Sequence, residues 1–429
     1  MTLPVFIGLF LILLFLGLPV GFVMAISSVI YFVFSGDANF LSMLPEKLFS
    51  GLNVYVLTAI PFFMLAGDIM NESGISKRLI KFSNMVVGRF RGGLAQVNVL
   101  ASIIFAGITG VALGDIAALG SVFIPSMVKE GYDKKFATAV TAASSLVGPI
   151  IPPSTITVLY AATMSTSVGA MFAGSIIPGV LIGLSDMIIV KLLADKRQYP
   201  KVEVEVTPTR FFTGLKDAIL AIIMPVIIIG GILTGVFTPT EAAAVSVIYA
   251  LFVGIFLFKS IGRKELSATL KKSILGSAKL FLIIAGASII SWVFGIENVS
   301  AVAEHVFKSI TTNFYLLVII INLFFIFMGM WMDAGASILL FAPVIAPLAV
   351  DIGLHPVQFG IMLIVNLNIG LCTPPLGNIL FAAADMAELD TATLSKELLP
   401  FLLINFIIIL LVGFIPELSL YIPRLLGLI

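Results

Sequence analysis

Long apolar runs, interrupted by short charged segments, cover most of the 429 residues. Windows of about 18 or more apolar residues recur from one end of the chain to the other, a length that spans a hydrocarbon core as a helix. The pattern therefore predicts an all-α polytopic membrane protein. The first run, 3–34, lacks a small-residue cleavage site and favours a retained helix over a signal peptide.

Charge patterning orients these runs. Basic residues cluster at 77–91, 129–135, 191–216 and 259–279. The positive-inside rule places these four segments in the cytoplasm. Segments with few or no basic residues are predicted to be external: 35–50, 166–169, 236–241, 297–312 and 351–356. The stretch 259–279 fits either an amphipathic helix on the membrane surface or a solvated loop.

Two apolar runs, 93–128 and 313–350, have both flanks on the same predicted side. A helix of that length, at 1.5 Å per residue, would extend about 54 Å and exceed one crossing of a core of about 30 Å. The middle of each run, 107–120 and 329–337, holds glycines and an aspartate that suit a turn. We therefore predict two re-entrant helical hairpins, one entering from each side.

A shift of 222 residues brings the two halves of the chain into register. The coincident pairs are Gly107 and Gly329, Pro125 and Pro347, Gly131 and Gly353, Gly148 and Gly370, the two Pro-Pro pairs at 152–153 and 374–375, and Pro178 and Pro400. Five crossings are predicted between the hairpins: 136–165, 169–190, 217–238, 240–258 and 280–296. An odd number makes the second copy inverted, and inverted repeats with interrupted helices are typical of secondary transporters.

The interruptions are GPIIPPS at 148–154 and the Gly- and Pro-containing stretch at 367–380. Proline removes an amide donor, so each helix must unwind there. A bare carbonyl in hydrocarbon costs several kcal/mol unless it lines a cavity or meets a partner. Sodium is such a partner, because it accepts carbonyl, hydroxyl and carboxylate oxygens.

Each hairpin tip and the break that it faces therefore form one predicted sodium site. The first site comprises Ser102, Gly107, Gly114, Asp115, Ser145, Gly148 and Pro149, and the second Gly329, Asp333, Ser337, Asn368, Gly370 and Thr373. Capping of the following half-helix is an equal alternative for Asp115. Asp333 is favoured as a ligand, because the repeat register predicts that it lies beside the unwound segment 370–374.

Half-helices that begin near Ser154 and Gly377 would direct positive dipoles at an anionic substrate. The candidate substrate residues are Thr109, Ser154, Thr155, Trp331, Gly377 and Asn378. Trp331 could shield the cavity or simply pack. Asp68 and Asp186 are expected near helix ends, as caps or interface residues.

Several classes of protein are disfavoured. One cysteine, Cys372, excludes an internal disulfide, and two histidines argue against haem, zinc or copper. A Walker-type motif is absent, so this chain does not hydrolyse ATP. Buried Lys, His or Glu chains for a proton pump or a membrane enzyme are almost lacking. A channel with similar broken helices, and proton coupling through Asp115 and Asp333, remain as alternatives.

Four stretches resemble signatures of the large membrane subunit of the TRAP (tripartite ATP-independent periplasmic) transporters: GLPVGF (17–22), GPIIPPS (148–154), GVFTPTEAAA (235–244) and NLNIGLCTPPLGNILF (366–381). The resemblance implies an elevator-type symporter of the bacterial inner membrane. It would couple two or more Na⁺ ions to uptake of an organic acid such as sialic acid or a C4-dicarboxylate.

The resemblance also implies two protein partners besides the lipid bilayer. A periplasmic substrate-binding protein would deliver the organic acid, and a small four-helix membrane subunit would complete the transporter. This subunit is expected to be a separate chain, because 429 residues leave no room for it. No nucleic-acid partner is expected.

The domain organisation that follows from these interpretations alternates scaffold and transport parts. Scaffold helices are predicted at 1–92 and 217–312, with an amphipathic arm near 259–279. Each transport half contains one hairpin and one broken helix, at 93–190 and 313–429. A cytoplasmic linker at 191–216 joins the two copies.

Overall fold

The computed structural model describes residues 3–35, 38–201 and 208–429. Every regular element in these ranges is helical. The first half holds α1 (Leu3–Phe15), α2 (Val20–Phe34), α3 (Leu44–Leu52), α4 (Ala59–Glu72), α5 (Ile75–Val87), α6 (Gly93–Thr109), α7 (Ala112–Lys129), α8 (Lys134–Ser145), α9 (Thr155–Thr163) and α10 (Val168–Lys196). The second half holds α11 (Pro208–Leu233), α12 (Pro239–Phe252), α13 (Arg263–Ile296), α14 (Val299–Ile310), α15 (Phe314–Trp331), α16 (Ala334–Asp351), α17 (Pro356–Cys372), α18 (Asn378–Met386), α19 (Thr391–Phe414) and α20 (Glu417–Leu425).

Within the described ranges, seven helices are long and apolar enough to cross a membrane. They are α7, α10, α12 with the π-helical turn that extends it to Leu257, α13, α15, α16 and α19. The polytopic helical class predicted from the sequence is confirmed. The first apolar run forms two short helices instead of one, because Gly17 adopts a positive φ of 80° and Pro19 follows at the N-cap of α2.

The internal repeat is visible in the helix boundaries. Shifted by 222 residues, α7 falls on α16 with both ends matched. The pairs α6 and α15, α8 and α17, α9 and α18, and α10 and α19 also begin within one residue of each other. Gly131 and Gly353, which follow α7 and α16, both have left-handed φ values, 93° and 99°. Corresponding residues therefore build corresponding elements in the two copies.

Both predicted hairpins are present. The chain turns at Gly110 and Val111 between α6 and α7, and at Met332 and Asp333 between α15 and α16. Gly110 has a φ of 60°, which a side chain rarely tolerates. Each turn lies inside the glycine-containing stretch that predicted it.

The copies differ in the segment before the hairpins. In the first copy, 39–52 and 55–72 meet at a bend of 62°. In the second copy the corresponding residues form α13, a continuous helix of 34 residues. At 1.5 Å per residue α13 extends about 51 Å, well beyond a hydrocarbon core. The basic stretch 259–279 is thus largely the first half of one long helix, rather than a solvated loop.

The packing of the hairpins is reciprocal. The second limb of the first hairpin, α7, packs against α18 of the second copy, and α16 packs against α9 of the first. The two broken helices also meet, since the Cys372 thiol lies 3.5 Å from the carbonyl oxygen of Ala142. Reciprocal contacts of this kind are expected from two inverted copies that share one core.

A polar cluster ties α8, α10 and α19 together at the C-terminal end of α10. The Arg197 guanidinium donates hydrogen bonds to both carboxylate oxygens of Glu397, with Nη2 and Oε2 2.9 Å apart. The Tyr199 hydroxyl donates to Asp133 Oδ2 at 2.9 Å, and the guanidinium lies over the ring of Phe136. The hydrogen bond to Glu397 raises the pKa of Arg197, so this residue stays charged.

Replacing Glu397 by Gln should destabilise the protein, because the guanidinium would keep its charge and lose its bidentate partner. Arg197 is 28% exposed, so we expect a loss of about 1–3 kcal/mol in the free energy of unfolding, below the value for a fully buried pair. Thermal unfolding in detergent measures it. The matched control is Glu388→Gln, because the exposed pair between Lys134 and Glu388, 3.9 Å apart, should contribute little. Equal midpoints for the two variants would contradict the account.

Candidate functional site

The tip of the first hairpin packs against the first helix break. We define the first cleft as residues 107–115 together with 145–155. A methyl group at Gly110 would lie 2.9 Å from the carbonyl oxygen of Pro153, and one at Gly148 would lie 2.0 Å from Asp115 Oδ2. Only glycine allows the chains to approach so closely. Asp115 is fully buried, and its carboxylate lies against the backbone of the break.

Buried hydroxyl and amide groups line α6 and α8 behind this cleft. Ser102 Oγ donates to Ser144 Oγ at 2.9 Å, and Asn98 Nδ2 donates to Thr141 Oγ1 at 2.7 Å. Ser145 Oγ donates to a carbonyl of its own helix. Within the described ranges the Asn98 side-chain oxygen has no hydrogen-bond partner. The cluster therefore offers several oxygen atoms of the kind that a hard cation prefers.

Sequence reasoning missed Asn98, Thr141 and Ser144 as members of this cluster. A signal was present, because Asn98 and Ser102 stand four residues apart on α6, and Thr141 and Ser144 three apart on α8. These spacings put each pair on one helix face. Polar stripes inside two otherwise apolar helices would have indicated a shared buried site.

The half-helix α9 begins at Thr155, as predicted, and Ser154 is its N-cap. Ser154 Oγ accepts the amide of Thr157 at 3.3 Å and donates to the carbonyl oxygen of Pro149 at 2.6 Å. Both Ser154 and Thr155 are buried. Ser154 therefore satisfies one free carbonyl of the break and one free amide of the helix that follows.

The second cleft comprises residues 326–337 and 367–377. A methyl group at Gly370 would lie 2.6 Å from the carbonyl oxygen of Ile326, and one at Gly329 would lie 2.5 Å from that of Leu367. The backbones of the hairpin and the broken helix are thus in direct contact. Thr373, just beyond α17, donates its hydroxyl to the carbonyl oxygen of Ile369 at 2.8 Å.

Two side-chain oxygens of the residues that define the second cleft are fully buried without a hydrogen-bond partner in the part of the chain that the structure describes. They are Ser337 Oγ and Asn368 Oδ1. The Asn368 amide nitrogen is occupied, since it donates to the carbonyl oxygen of Ile364 at 2.8 Å. A buried polar atom left unpaired is costly, so these oxygens are candidates for an ion or a ligand.

The two tip carboxylates occupy different environments. Asp333 is exposed. It caps α16, since its Oδ1 accepts a hydrogen bond from the amide of Gly335 at 2.8 Å. Asp115 is buried in the first turn of α7. In the repeat register Asp115 corresponds to Ser337, and Asp333 to Val111. The helix-capping role considered for Asp115 is thus observed at Asp333. Asp115 is the carboxylate that contacts a helix break, at Gly148.

The remaining candidate residues are spread around the two clefts. Gly377 is buried at the N-cap of α18, and Asn378 is exposed at its first position. Trp331 packs edge-on against Phe15, with ring centroids 5.3 Å apart, and lines an apolar groove between α1 and the second hairpin. A methyl group at Gly114 would meet nothing within 4 Å. The side chain of Thr109 lies outside the described residues.

The other intramembrane carboxylates also differ from expectation. Asp186 lies inside α10, fully buried, with the Asn405 amide 3.4 Å from its Oδ1, so the expected position near a helix end is wrong. Asp68, in the second half of α4, accepts hydrogen bonds from Lys272 and Ser273 of α13. It is an interface residue, one of the two roles expected of it.

Paired hairpins inserted into paired broken helices, in a repeated all-helical fold, define a secondary membrane transporter. Solved structures carry the same fold at low sequence identity. The Alcanivorax borkumensis YdaH transporter matches with a TM-score of 0.63 at 16% identity, covering 89% of each chain. Neisseria gonorrhoeae MtrF, described within a class of antimetabolite efflux pumps, matches with a TM-score of 0.59 at 14% identity, covering 95% of this chain and 94% of its own.

The chain belongs to the family described as the DctM component of the tripartite ATP-independent periplasmic transporters, which it matches over residues 7–418. It is 36% identical to the Vibrio cholerae sialic acid TRAP transporter large permease SiaM, covering 96% of each protein. It is 32% identical to the Rhodobacter capsulatus C4-dicarboxylate large permease DctM over the full length of both. Salmonella typhimurium YgiK is 37% identical and is covered to 97%. The chain is a transporter subunit and not an enzyme.

Replacing Gly370 by Ala should push the second hairpin away from its broken helix, because the added methyl meets backbone atoms that cannot rotate aside. Overpacking of this kind costs about 1–3 kcal/mol in the free energy of unfolding. Thermal unfolding of the purified protein measures it. Gly230→Ala in α11 is the matched control, since the methyl would meet nothing within 4 Å. A Gly370→Ala protein as stable as this control would contradict the described contact.

Proposed function

We propose that this chain performs sodium-coupled secondary active uptake of an organic acid across the bacterial inner membrane by an elevator mechanism. The observation that supports this best is the pair of clefts, each with a hairpin tip packed against a break and with buried oxygen atoms around it. Two such sites on two inverted copies fit a carrier that binds its ions and its substrate near the midplane.

The donor set favours a cation over a proton as the coupling ion. Asp115 supplies a carboxylate to the first cleft beside the backbone of Ser145 and Gly148, and Ser102 lies behind the cleft in contact with Ser144. In the second cleft, Ser337, Asn368 and Thr373 supply hydroxyl and amide oxygens, which do not titrate, and the Asp333 carboxylate serves as a helix cap. Oxygens of this kind coordinate Na⁺ without a protonation step.

An organic anion is the substrate class that fits the architecture and the relatives. The N-termini of the half-helices α9 and α18 begin at the two breaks, and each carries partial positive charge. SiaM and DctM are named for sialic acid and for C4-dicarboxylates, which both bear carboxylates. A carboxylate held by helix N-termini and hydroxyl groups requires no buried arginine.

The elevator proposal assigns α6–α10 and α15–α20 to a moving body and the remaining helices to a scaffold. Sodium binding would order both clefts and complete the substrate cavity between them. A half-loaded body would expose unpaired oxygens to hydrocarbon, so its movement would be costly. As a component of a tripartite system, the chain would act with a separate small membrane subunit and receive substrate from a periplasmic binding protein.

Reconstitution tests the proposal as a whole. The chain is placed in proteoliposomes with its small subunit, and uptake of labelled sialic acid or succinate is measured with a panel of loaded periplasmic binding proteins. We expect uptake with an inward sodium gradient and none when choline replaces sodium at constant pH. Counterflow should accelerate uptake, which a channel cannot do. Equal uptake in choline would contradict sodium coupling.

The two tip carboxylates should respond differently to neutralisation. Asp115→Asn removes the charge beside the first break, and we expect sodium-driven uptake to fall by about tenfold or more. Asp333→Asn keeps a side chain that caps helices equally well, so sodium dependence should be retained. Uptake against sodium concentration measures both, with Ser337→Ala as the equivalent loss in the second cleft. Sodium dependence lost only in Asp333→Asn would reverse the assignment.

A further inference from the structure

A cavity of about 420 Å³, lined by charged as well as apolar residues, lies between the tip of the first hairpin and the predicted scaffold. On the hairpin side it is lined by Val111 and Gly114. On the scaffold side it is lined by α4 and α13, including Asp68, Asn71, Lys272 and Lys279. The cavity therefore borders one end of the first cleft without containing the buried oxygens of that cleft.

The charges around this cavity are not balanced. Lys272 Nζ pairs with Asp68 Oδ1 at 2.7 Å, and Ser273 donates to Asp68 Oδ2 at 2.6 Å. Both carboxylate oxygens of Asp68 therefore have a partner. Lys279 is exposed and has no hydrogen-bond or ion-pair partner among the residues that the structure describes. One unpaired ammonium thus faces the cavity.

The two hairpin residues that line the cavity, Val111 and Gly114, carry no charged side chain. Val111 is the N-cap of α7 and provides no side-chain cap for the first amides of this helix. Asp115, in the same turn, lies against Gly148. The free N-terminus of α7 and Lys279 therefore favour an anion in the cavity.

Lys279 lies on α13 at the level of the two hairpin tips. Its neighbour Leu280 contacts the tip of the second hairpin, where a methyl group at Gly335 would lie 3.2 Å from Leu280 Cδ1. Lys279 also closes the basic segment that the positive-inside rule places in the cytoplasm. A charge on the scaffold, at the level of both tips and at the end of this basic segment, would meet a substrate that leaves the clefts inward.

We propose that this cavity is the cytoplasmic release site for the transported anion, and that Lys279 receives the anion's carboxylate as it leaves the tip of the first hairpin. The inference rests on the proposed transport function for the identity of the anion. The charge of the cavity does not depend on that function and can be tested separately.

The first experiment measures the charge directly with a thiol reporter. Leu275→Cys places a thiol in the cavity, one turn from Lys279, and the single native Cys372 is buried and provides the blank. Modification rates are compared for a sulfonate-bearing and a trimethylammonium-bearing methanethiosulfonate. We expect Lys279→Gln to lower the anion-to-cation rate ratio by about 3- to 10-fold at low salt. Lys264→Gln, about 16 Å from the reporter along α13, is the matched control and should change the ratio much less.

The second experiment measures release. In proteoliposomes exchanging labelled succinate or sialic acid, Lys279→Gln should raise the half-saturating concentration of the anion on the cytoplasmic side several-fold. The half-saturating sodium concentration should stay unchanged, and Lys279→Arg should restore anion affinity. An unchanged rate ratio, or an unchanged cytoplasmic half-saturation, would overturn the inference. If the unsubstituted chain shows no sodium-driven uptake, the transport proposal fails instead, and the rate ratio still decides whether the cavity selects anions.

Discussion

Hydrocarbon offers no hydrogen bonds, so every polar backbone atom at membrane depth must find its partner inside the protein. Helices α8 and α17 both end at a break, and the chain between each of them and the half-helix that follows has carbonyls that no regular helix can pair. The hairpins cover these segments, and close contact between backbones is possible because glycines stand at the contact points, such as Gly110 and Gly370. The remainder of the fold holds the two hairpins in these positions.

The repeat supplies two such clefts, and their chemistry differs. The first is buried almost throughout and contains a carboxylate, Asp115. The second replaces that carboxylate with the hydroxyl of Ser337 and is more open, with Pro374 and Pro375 exposed. Cys372 on one broken helix touches the other, so ordering of one cleft can be transmitted directly to its counterpart. Such coupling suits a carrier that must move only when fully loaded.

Much of the fold was predictable, because proline and glycine act locally. The two turns, the starts of α9 and α18, and the internal repeat all follow from where these residues stand. The continuity of α13 was not predictable from residues 259–279, since a surface helix and the start of a spanning helix share the same amphipathic pattern. Packing against α3 and α4 decides between them. The interior position of Asp186 was missed because α10 extends to Lys196, beyond the predicted end of the crossing.

The candidate site was predicted as a set of segments, but not atom by atom. Whether Asp115 or Asp333 acts as a helix cap depends on the position of each hairpin turn, which must be known to within one or two residues. The repeat register aligns Asp333 with Val111, and only the structure shows that both stand at the N-cap of the second limb of their hairpin. Asn98 and Thr141 were missed because an isolated polar residue in a membrane helix is ambiguous until its partner on another helix is known. Their hydrogen bond joins α6 to α8 and could not be read from either helix alone.

The central claim is that each cleft takes a sodium ion. Equilibrium binding of radioactive sodium to the purified chain, in detergent and against a constant background of potassium, tests it most directly. Saturable binding of two or more sodium ions per chain is the expected result. The account would be contradicted if no saturable sodium binding were found, or if potassium displaced the bound sodium at equal concentration.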